Sequence, residues 1–273
     1  MTDHRVVLGD CLDPVAGLAS LPDKSVDHLI CDPPYSEDLY ARTRTNKGSG
    51  LRPNGQPTCR SDRNRDEQIS AMRLASLSIG AIDDILDAVA AQINRITRRW
   101  AIVFCDFEIA GRWQKALDRY VRTGAWVKTD PMPQVTGDRP AAGFEPCVIA
   151  HPQPGRMRWN GGGRPAVWTF GTTKGGERAD NEHPCPKPLT LMESLVRDFT
   201  DPGELICDPF AGSGTTGVAC KRLGRRFIGW EREPKYHAIA EKRIAAAREQ
   251  LGLFREKAPR EKQAALSLPP EAE

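Results

Sequence analysis

Asp208-Pro209-Phe210-Ala211-Gly212-Ser213-Gly214-Thr215-Thr216-Gly217 follows a short apolar run, Glu204 to Cys207, and leads into a helical stretch that ends near Gly224. Gly212, Gly214 and Gly217 satisfy G-x-G-x-x-G, and Glu231 closes the next apolar run, 19 residues after Gly212. Small residues let a ligand approach the backbone, the helix N-terminus favours a carboxylate or phosphate, and an acidic residue at the next strand end can grip two ribose hydroxyls. The stretch therefore reads as a nucleotide-type pocket at the end of a buried strand. No lysine stands where a Walker A loop needs one, and no serine sits in a G-x-S-x-G elbow, so NTP hydrolysis and serine-hydrolase chemistry are disfavoured.

Outward from that loop the chain alternates between strand and helix patterns. Val6 to Leu8, Val26 to Cys31 and Ala101 to Cys105 read as short buried strands. From Ile79 the apolar positions Ile82, Ile85, Leu86, Val89, Ile93 and Ile96 fall on one helical face, and a second helix is expected at about 108–120. Ala125 to Thr129, Phe144 to Ala150 and Val167 to Phe170 are candidate strands among many Pro and Gly. A helix from Pro188, the strand before Asp208, the strand Arg226 to Trp230 and a helix opened by Pro234 complete the pattern. Such alternation implies an α/β fold, a doubly wound, mostly parallel sheet with ligands at the carboxyl ends of its strands.

A second loop, Asp32-Pro33-Pro34-Tyr35, follows the strand Val26 to Cys31. The two prolines fix the backbone and leave the Pro33 carbonyl outside local hydrogen bonding, with Asp32 and Tyr35 directed into the crevice. A carboxylate and a carbonyl can accept both hydrogens of an exocyclic NH2 and turn its lone pair toward an electrophile, while the tyrosine ring stacks on a base.

With 39% hydrophobic and 27% charged residues over 273 positions, the chain can bury an enzyme-sized core. No apolar run approaches the roughly 20 residues of a spanning helix, and Met1 to Gly9 lacks the pattern of a signal peptide, so a cytoplasmic protein without a membrane role is expected. The eight cysteines include no C-x-x-C pair, which disfavours a zinc or redox framework and any metal site; Cys31, Cys105, Cys147 and Cys207 lie in or beside apolar runs and read as core. The net charge of +3 is unevenly spread. Residues 41–65 hold six arginines and Lys47 against Asp62, a net +6, and residues 151–178 hold four arginines and Lys174 against Glu177, a net +4. Two basic segments on a body that sums to −7 suit loops that meet a polyanion, or two solvated surface loops.

Together the two loops resemble the amino-group DNA methyltransferases. Asp208 to Thr216 looks like their S-adenosylmethionine loop and Asp32 to Tyr35 like their catalytic motif; the catalytic motif comes first by about 176 residues, an order that resembles the permuted β class. Gly9-Asp10-Cys11-Leu12 is similar to the family's segment whose Asp contacts the cofactor adenine, and His183-Pro184 with Lys187-Pro188 resembles the stretch leading into the cofactor loop.

What the resemblance implies is a Rossmann-like methyltransferase domain over residues 1–256 with a disordered tail at 257–273. Asp32, Pro33, Pro34 and Tyr35 would be catalytic. Asp10, Lys187, Asp208, Phe210, Ala211, Gly212, Ser213, Gly214, Thr215 and Glu231 would bind S-adenosylmethionine. The partner would be double-stranded DNA, with the target base extruded onto Tyr35, and the enzyme a homodimer. Asp at position 32, where cytosine-N4 members more often carry Ser, tilts the target toward adenine N6, with cytosine N4 as the alternative. Residues 151–182, with Arg156, Arg158 and Arg164, stand where relatives carry target recognition, and the segment 41–65, with Arg42, Arg44 and Arg52, is expected to close over DNA. Cytosine-C5 transfer needs a cysteine nucleophile; Pro146-Cys147 and Pro184-Cys185 offer the dipeptide, but both lie away from the amine-binding loop. Two rivals from other classes are a nicotinamide-dependent oxidoreductase, which leaves Asp32 to Tyr35 idle, and a DNA-binding protein with a vestigial pocket.

Overall fold

A computed structural model describes residues 4–37, 81–131, 133, 140–173 and 186–248. The basic segment 41–65 with Arg42, Arg44 and Arg52, the His183-Pro184 pair and the expected tail at 257–273 lie outside the described residues.

In chain order the strands are β1 (His4–Leu8), β2 (His28–Cys31), β3 (Ala101–Phe104), β4 (Tyr120–Lys128), β5 (Phe144–Ala150), β6 (Val167–Phe170), β7 (Leu205–Asp208) and β8 (Arg226–Glu231). The helices are α1 (Leu86–Ile96), α2 (Phe107–Ala116), α3 (Leu189–Phe199), α4 (Thr215–Arg222) and α5 (Pro234–Ala246). Among the described residues these strands form one sheet in the order β1-β8-β7-β2-β3-β5-β4-β6. The first five run parallel, β5 is antiparallel to both neighbours, and β6 pairs parallel with β4 at the edge.

Short strands at the centre of this sheet are buried on both faces, which is why β2 and β3 read as continuous apolar runs rather than alternating ones. One face packs on α1 and α2 through Leu86, Val89, Ile93 and Trp113, the other on α3, α4 and α5 through Leu191, Leu195, Phe199, Val218 and Ile244. Each fully buried aliphatic or aromatic side chain of this kind stabilises the fold by about 1.5–3 kcal/mol relative to an exposed one. Among the described residues no helix is long and apolar enough to cross a membrane, and no group of three or more His, Cys, Asp or Glu could hold a metal ion. The six described cysteines, Cys31, Cys105, Cys147 and Cys207 among them, are buried and free.

Two element boundaries differ from the sequence reading. The helix expected at 108–120 stops at Ala116, because Leu117 is extended and Arg119 turns through a positive φ of 53° straight into β4. That strand consequently starts at Tyr120 rather than Ala125. The gain of five residues lets β4 reach from one end of the sheet to the other and deliver Trp126 and Lys128 to the carboxyl end.

The termini of the described fold meet at the sheet edge. Leu8 pairs with Glu231 in register, and the Gly9 amide donates to the Glu231 carbonyl at 2.9 Å. Asp10 and Glu231 therefore emerge side by side although they lie near opposite ends of the sequence.

Candidate active site

The carboxyl ends of β1, β8, β7 and β2 open into a cavity of about 600 Å³ lined by Asp10, Asp32, Tyr35, Asp208, Phe210 and Glu231, with Pro33, Pro34, Ala211, Gly212, Ser213 and Thr215 in its wall. At one end stands the glycine loop. Asp208 is almost fully buried, and it accepts from the Thr216 hydroxyl at 2.6 Å and the Phe210 amide at 3.0 Å, which curls the loop back on its own strand. Burial pushes the Asp208 carboxyl up to about 7, against the pull of those two donors. Gly212 and Gly214 take left-handed φ angles of 53° and 80°. An added Cβ at Gly214 would lie 2.9 Å from the Cα and Cβ of Ala240, so that glycine serves a close approach between the loop and α5.

The far side of the loop is clamped by a residue the sequence reading passed over. Arg243 of α5 donates to the Ser213 carbonyl at 2.6 Å, to Ser213 Oγ at 3.0 Å and to Thr215 Oγ1 at 3.3 Å. Glu231 accepts from the Glu233 amide at 2.8 Å, and burial raises its carboxyl above the usual range. Asp10 closes an Asx turn on the Leu12 amide at 2.8 Å.

At the other end of the cavity lies the Asp32 to Tyr35 loop. Its exit is fixed by Asp106, which caps α2 through the Ile109 amide and accepts from the Ser36 amide at 2.7 Å. Asp32 is held in the wall with 27% of its side chain open to the cavity. Burial raises its carboxyl from the ordinary value, with the Lys187 ammonium opposing.

Lys187 is the surprise of the site. Its Nζ lies 2.7 Å from Asp32 Oδ1, 3.1 Å from Glu145 Oε2 and 2.9 Å from the Tyr35 hydroxyl, to which it donates. Lys187 thus stands within reach of three polar atoms of the Asp32 to Tyr35 loop and β5, and it also lines the cavity. The sequence reading assigned Lys187 to the cofactor; in the structure it lines the main cavity beside the Asp32 to Tyr35 loop, among the rings of Tyr35, Phe104 and Trp126. Despite burial the neighbouring carboxylates hold its ammonium well above the lysine range.

Glu145 and Lys128 complete this cluster, and neither was singled out from sequence. Tyr35 donates its hydroxyl hydrogen to Glu145 Oε2 at 2.7 Å, and Lys128 Nζ lies 2.7 Å from Glu145 Oε1. Burial would raise the Glu145 carboxyl, but the two lysines outweigh it and hold it at about 2. The available signal was an ionisable residue at the second position of the apolar run Phe144-Glu145-Pro146-Cys147-Val148-Ile149-Ala150.

The candidate DNA-contacting arginines lie elsewhere. Because β5 is antiparallel, Phe144 and Glu145 sit at the cavity end of the sheet, whereas Ala150 pairs with Ala101 at the opposite end. Residues that follow Ala150 start from that opposite end. There Arg158 pairs with Asp201 at 3.0 Å, Arg164 pairs with the buried Asp198, and Trp100 donates to the Arg158 carbonyl. Arg164 also lines a separate cavity of about 360 Å³ with Trp100, Trp159 and Phe199. Arg156 does not line either cavity. The chain returns through β6, so that Thr172 and Thr173 reach the main cavity. Burial pushes the Cys147 thiol up to about 12, which leaves it unsuited as a nucleophile.

Comparison with known proteins bears on this geometry. A family model described as DNA methylase, for N6 and N4 transfer, matches residues 145–242. The chain is 51% identical over 83 residues to the Type II methyltransferase M2.DpnII of Streptococcus pneumoniae, covering 30% of this chain and 31% of that protein. It is 27% identical over 262 residues to the Type II methyltransferase M.HinfI of Haemophilus influenzae, covering 88% of this chain and 68% of that protein. Among solved structures, the M1.HpyAVI-SAM complex superposes with a TM-score of 0.58 at 24% identity, over 88% of this chain and 98% of that one. The cytosine-N4-specific PvuII DNA methyltransferase superposes with a TM-score of 0.62 at 17% identity, over 89% and 87%. Both carry the same mostly parallel α/β fold. Residues 145–242, which hold Glu145, Lys187, the glycine loop and Glu231, are thus the part of the chain that matches the model of the DNA methylase family of N6 and N4 enzymes.

Proposed function

We propose that the protein is a site-specific double-stranded DNA methyltransferase that moves a methyl group from S-adenosylmethionine to N6 of an extruded adenine. The observation that carries this reading is one cavity with an amine-binding carboxylate, Asp32, at one end and the Gly212 loop with Glu231 at the other. The donor set fits the cofactor. Glu231 and Asp10 are carboxylates suited to ribose hydroxyls and an adenine amine, Phe210 offers an apolar face, and the small residues of the loop let a ligand reach backbone amides. Bound there, the cofactor supplies an electrophilic methyl group on a sulfonium.

The remaining work falls to the chain itself. Extruding a base costs a few kcal/mol, which stacking on Tyr35 and contacts to the DNA backbone offset. Asp32 accepts one hydrogen of the target amine and, with the Pro33 carbonyl, turns its lone pair toward the cofactor end of the cavity. As the nitrogen takes the methyl group it becomes positively charged, and the Asp32 carboxylate stabilises that charge until one amine proton leaves. Arg42, Arg44 and Arg52 are assigned to the DNA backbone from the charge of their segment, the protein to the cytoplasm from the sequence pattern of its N-terminus and apolar runs, and its working form to a homodimer from the family resemblance.

Incubation with S-adenosylmethionine and duplex DNA, followed by nucleoside mass spectrometry, tests the reading. N6-methyladenine is expected. N4-methylcytosine would move the target to the alternative base, and absence of any methylated nucleoside, with NAD bound in preference to S-adenosylmethionine, would favour the oxidoreductase.

A further inference from the structure

Asp32 and Lys187 form an ion pair with no net charge, at the very place where the proposed reaction builds a cation. By itself that pair would stabilise a positive nitrogen poorly, since the ammonium stands within hydrogen-bonding distance of the same carboxylate. A second anion lies directly behind it: Glu145 Oε2 is 3.1 Å from Lys187 Nζ. Only beyond Glu145 does the next cation come, Lys128 at 2.7 Å from the other oxygen. Counted from the amine, the charges run minus, plus, minus, plus, and each successive member weighs less with distance.

We propose that Glu145 is a positioning residue for amine methylation: its charge offsets Lys187, leaving Asp32 to act as a full anion toward the target nitrogen. The same carboxylate takes the hydrogen of the Tyr35 hydroxyl, so it also fixes the tilt of the ring on which the base stacks. With Oδ1 of Asp32 engaged by Lys187, its Oδ2 is the oxygen that receives the amine. This inference rests on the methyltransferase reading, and it assigns to Glu145 and Lys128 a role that sequence patterns did not mark.

The groups that face Asp32 electrostatically are Lys187, Glu145, Tyr35, Cys31, Cys105 and Asp208. The thiols and the tyrosine are held protonated by burial, which among the described residues leaves Lys187, Glu145 and Asp208, with Lys128 more weakly from beyond Glu145, as the groups able to move the Asp32 titration. Glu145 raises the Asp32 carboxyl, so its removal displaces the acid limb of the rate profile downward.

The test uses full-length enzyme carrying Glu145→Gln, compared with wild type on the same duplex. Turnover is expected to fall about 10- to 100-fold while KM for DNA stays within about threefold, and the acid limb of kcat moves down by about half a pH unit or more. Glu145→Asp should regain part of the rate. Lys128→Met, which strips Glu145 of its counter-cation, should move the limb the opposite way and covers the case in which the glutamine variant fails to fold. An acid limb that stays put in both folded variants, or turnover within twofold of wild type in Glu145→Gln, overturns the proposal. A wild-type enzyme that methylates no DNA overturns the reading beneath it instead, a result distinguishable because every expectation here is a ratio to wild type.

Discussion

Lys187 Nζ and Asp32 Oδ1 approach to 2.7 Å across 155 residues of sequence, and the same ammonium reaches Glu145 and Tyr35. The segment that leads into the glycine loop is thereby fastened to the Asp32 to Tyr35 loop. Cofactor loop and amine site are joined mechanically, since α3 begins at Leu189, just beyond this lysine, and β7 follows that helix into Asp208.

Replacement of Lys187 by methionine separates the two roles. The apolar stem survives, but Asp32 and Glu145 are left as neighbouring anions in a buried site, a change of the kind that costs about 3–5 kcal/mol of stability. Cofactor affinity measured calorimetrically on the folded variant should change less than about threefold, whereas single-turnover methylation should fall at least tenfold. A variant that loses cofactor binding but transfers normally at saturating cofactor would restore the lysine to the cofactor site.

Gly214→Ala tests the junction between glycine loop and last helix. The new Cβ meets Ala240 backbone at 2.9 Å, and the position has φ of 80°. A left-handed non-glycine residue costs roughly 1–2 kcal/mol and overpacking another 1–3. The variant should therefore unfold at a denaturant concentration reflecting about 2–5 kcal/mol less stability, with weakened cofactor binding because α5 also carries Arg243. Unchanged stability would show that α5 yields easily and that the close approach is incidental.

The glycine loop and the Asp32 to Tyr35 loop were legible in sequence because each is a local pattern: punctuation by Gly or Pro at the end of an apolar run. The meeting of Asp10 with Glu231 followed from topology once the strands were placed. Glu145, Lys128 and Arg243 were not legible, since what makes them matter is a partner at least 17 residues away. Lys187 was noticed for its neighbourhood in the chain, and its contacts with Asp32, Tyr35 and Glu145 stayed hidden for the same reason as those of Glu145. Arg158 and Arg164 illustrate the limit of charge counting: a run of arginines says nothing about which of them already have carboxylates, and Asp201 and Asp198 engage these two. The length of β4 was missed because Arg119 turns through a conformation that its side chain type does not announce.

Asp208 predicts a pH dependence of stability with a definite sign. Its carboxyl is raised from 3.8 to about 7 by burial, so the folded state holds a proton that the unfolded chain releases. The stabilisation from that proton is full below about pH 4 and is lost as pH rises toward 7. Between pH 5 and 8 the loss is on the order of 2–3 kcal/mol. Asp208→Asn keeps the shape and cannot ionise, and the Thr216 hydroxyl can rotate to donate or accept. Melting of cofactor-free protein should accordingly fall less steeply from pH 5 to pH 8 in the variant than in wild type. Parallel curves would mean that Asp208 stays ionised throughout and that the two donors outweigh its burial.

The salt dependence of DNA binding tests which of the arginines meet the phosphates. A phosphate contact contributes about 0.9 to the slope of log affinity against log salt. Simultaneous alanine substitution of Arg42, Arg44 and Arg52 should lower that slope by up to about 3 and weaken binding to all sequences alike. Arg158→Ala and Arg164→Ala should leave the slope unchanged within about 0.5, because these residues pair with Asp201 and Asp198 and their chain segment begins at the end of the sheet remote from Asp32. The Arg164 variant should lose some stability, since Asp198 is nearly buried and retains Trp168 Nε1 at 2.9 Å as its shortest remaining donor. If the slope instead falls with Arg158 and Arg164 and not with the three N-terminal arginines, DNA approaches the opposite end of the sheet, and the extruded base could not reach Asp32 from there.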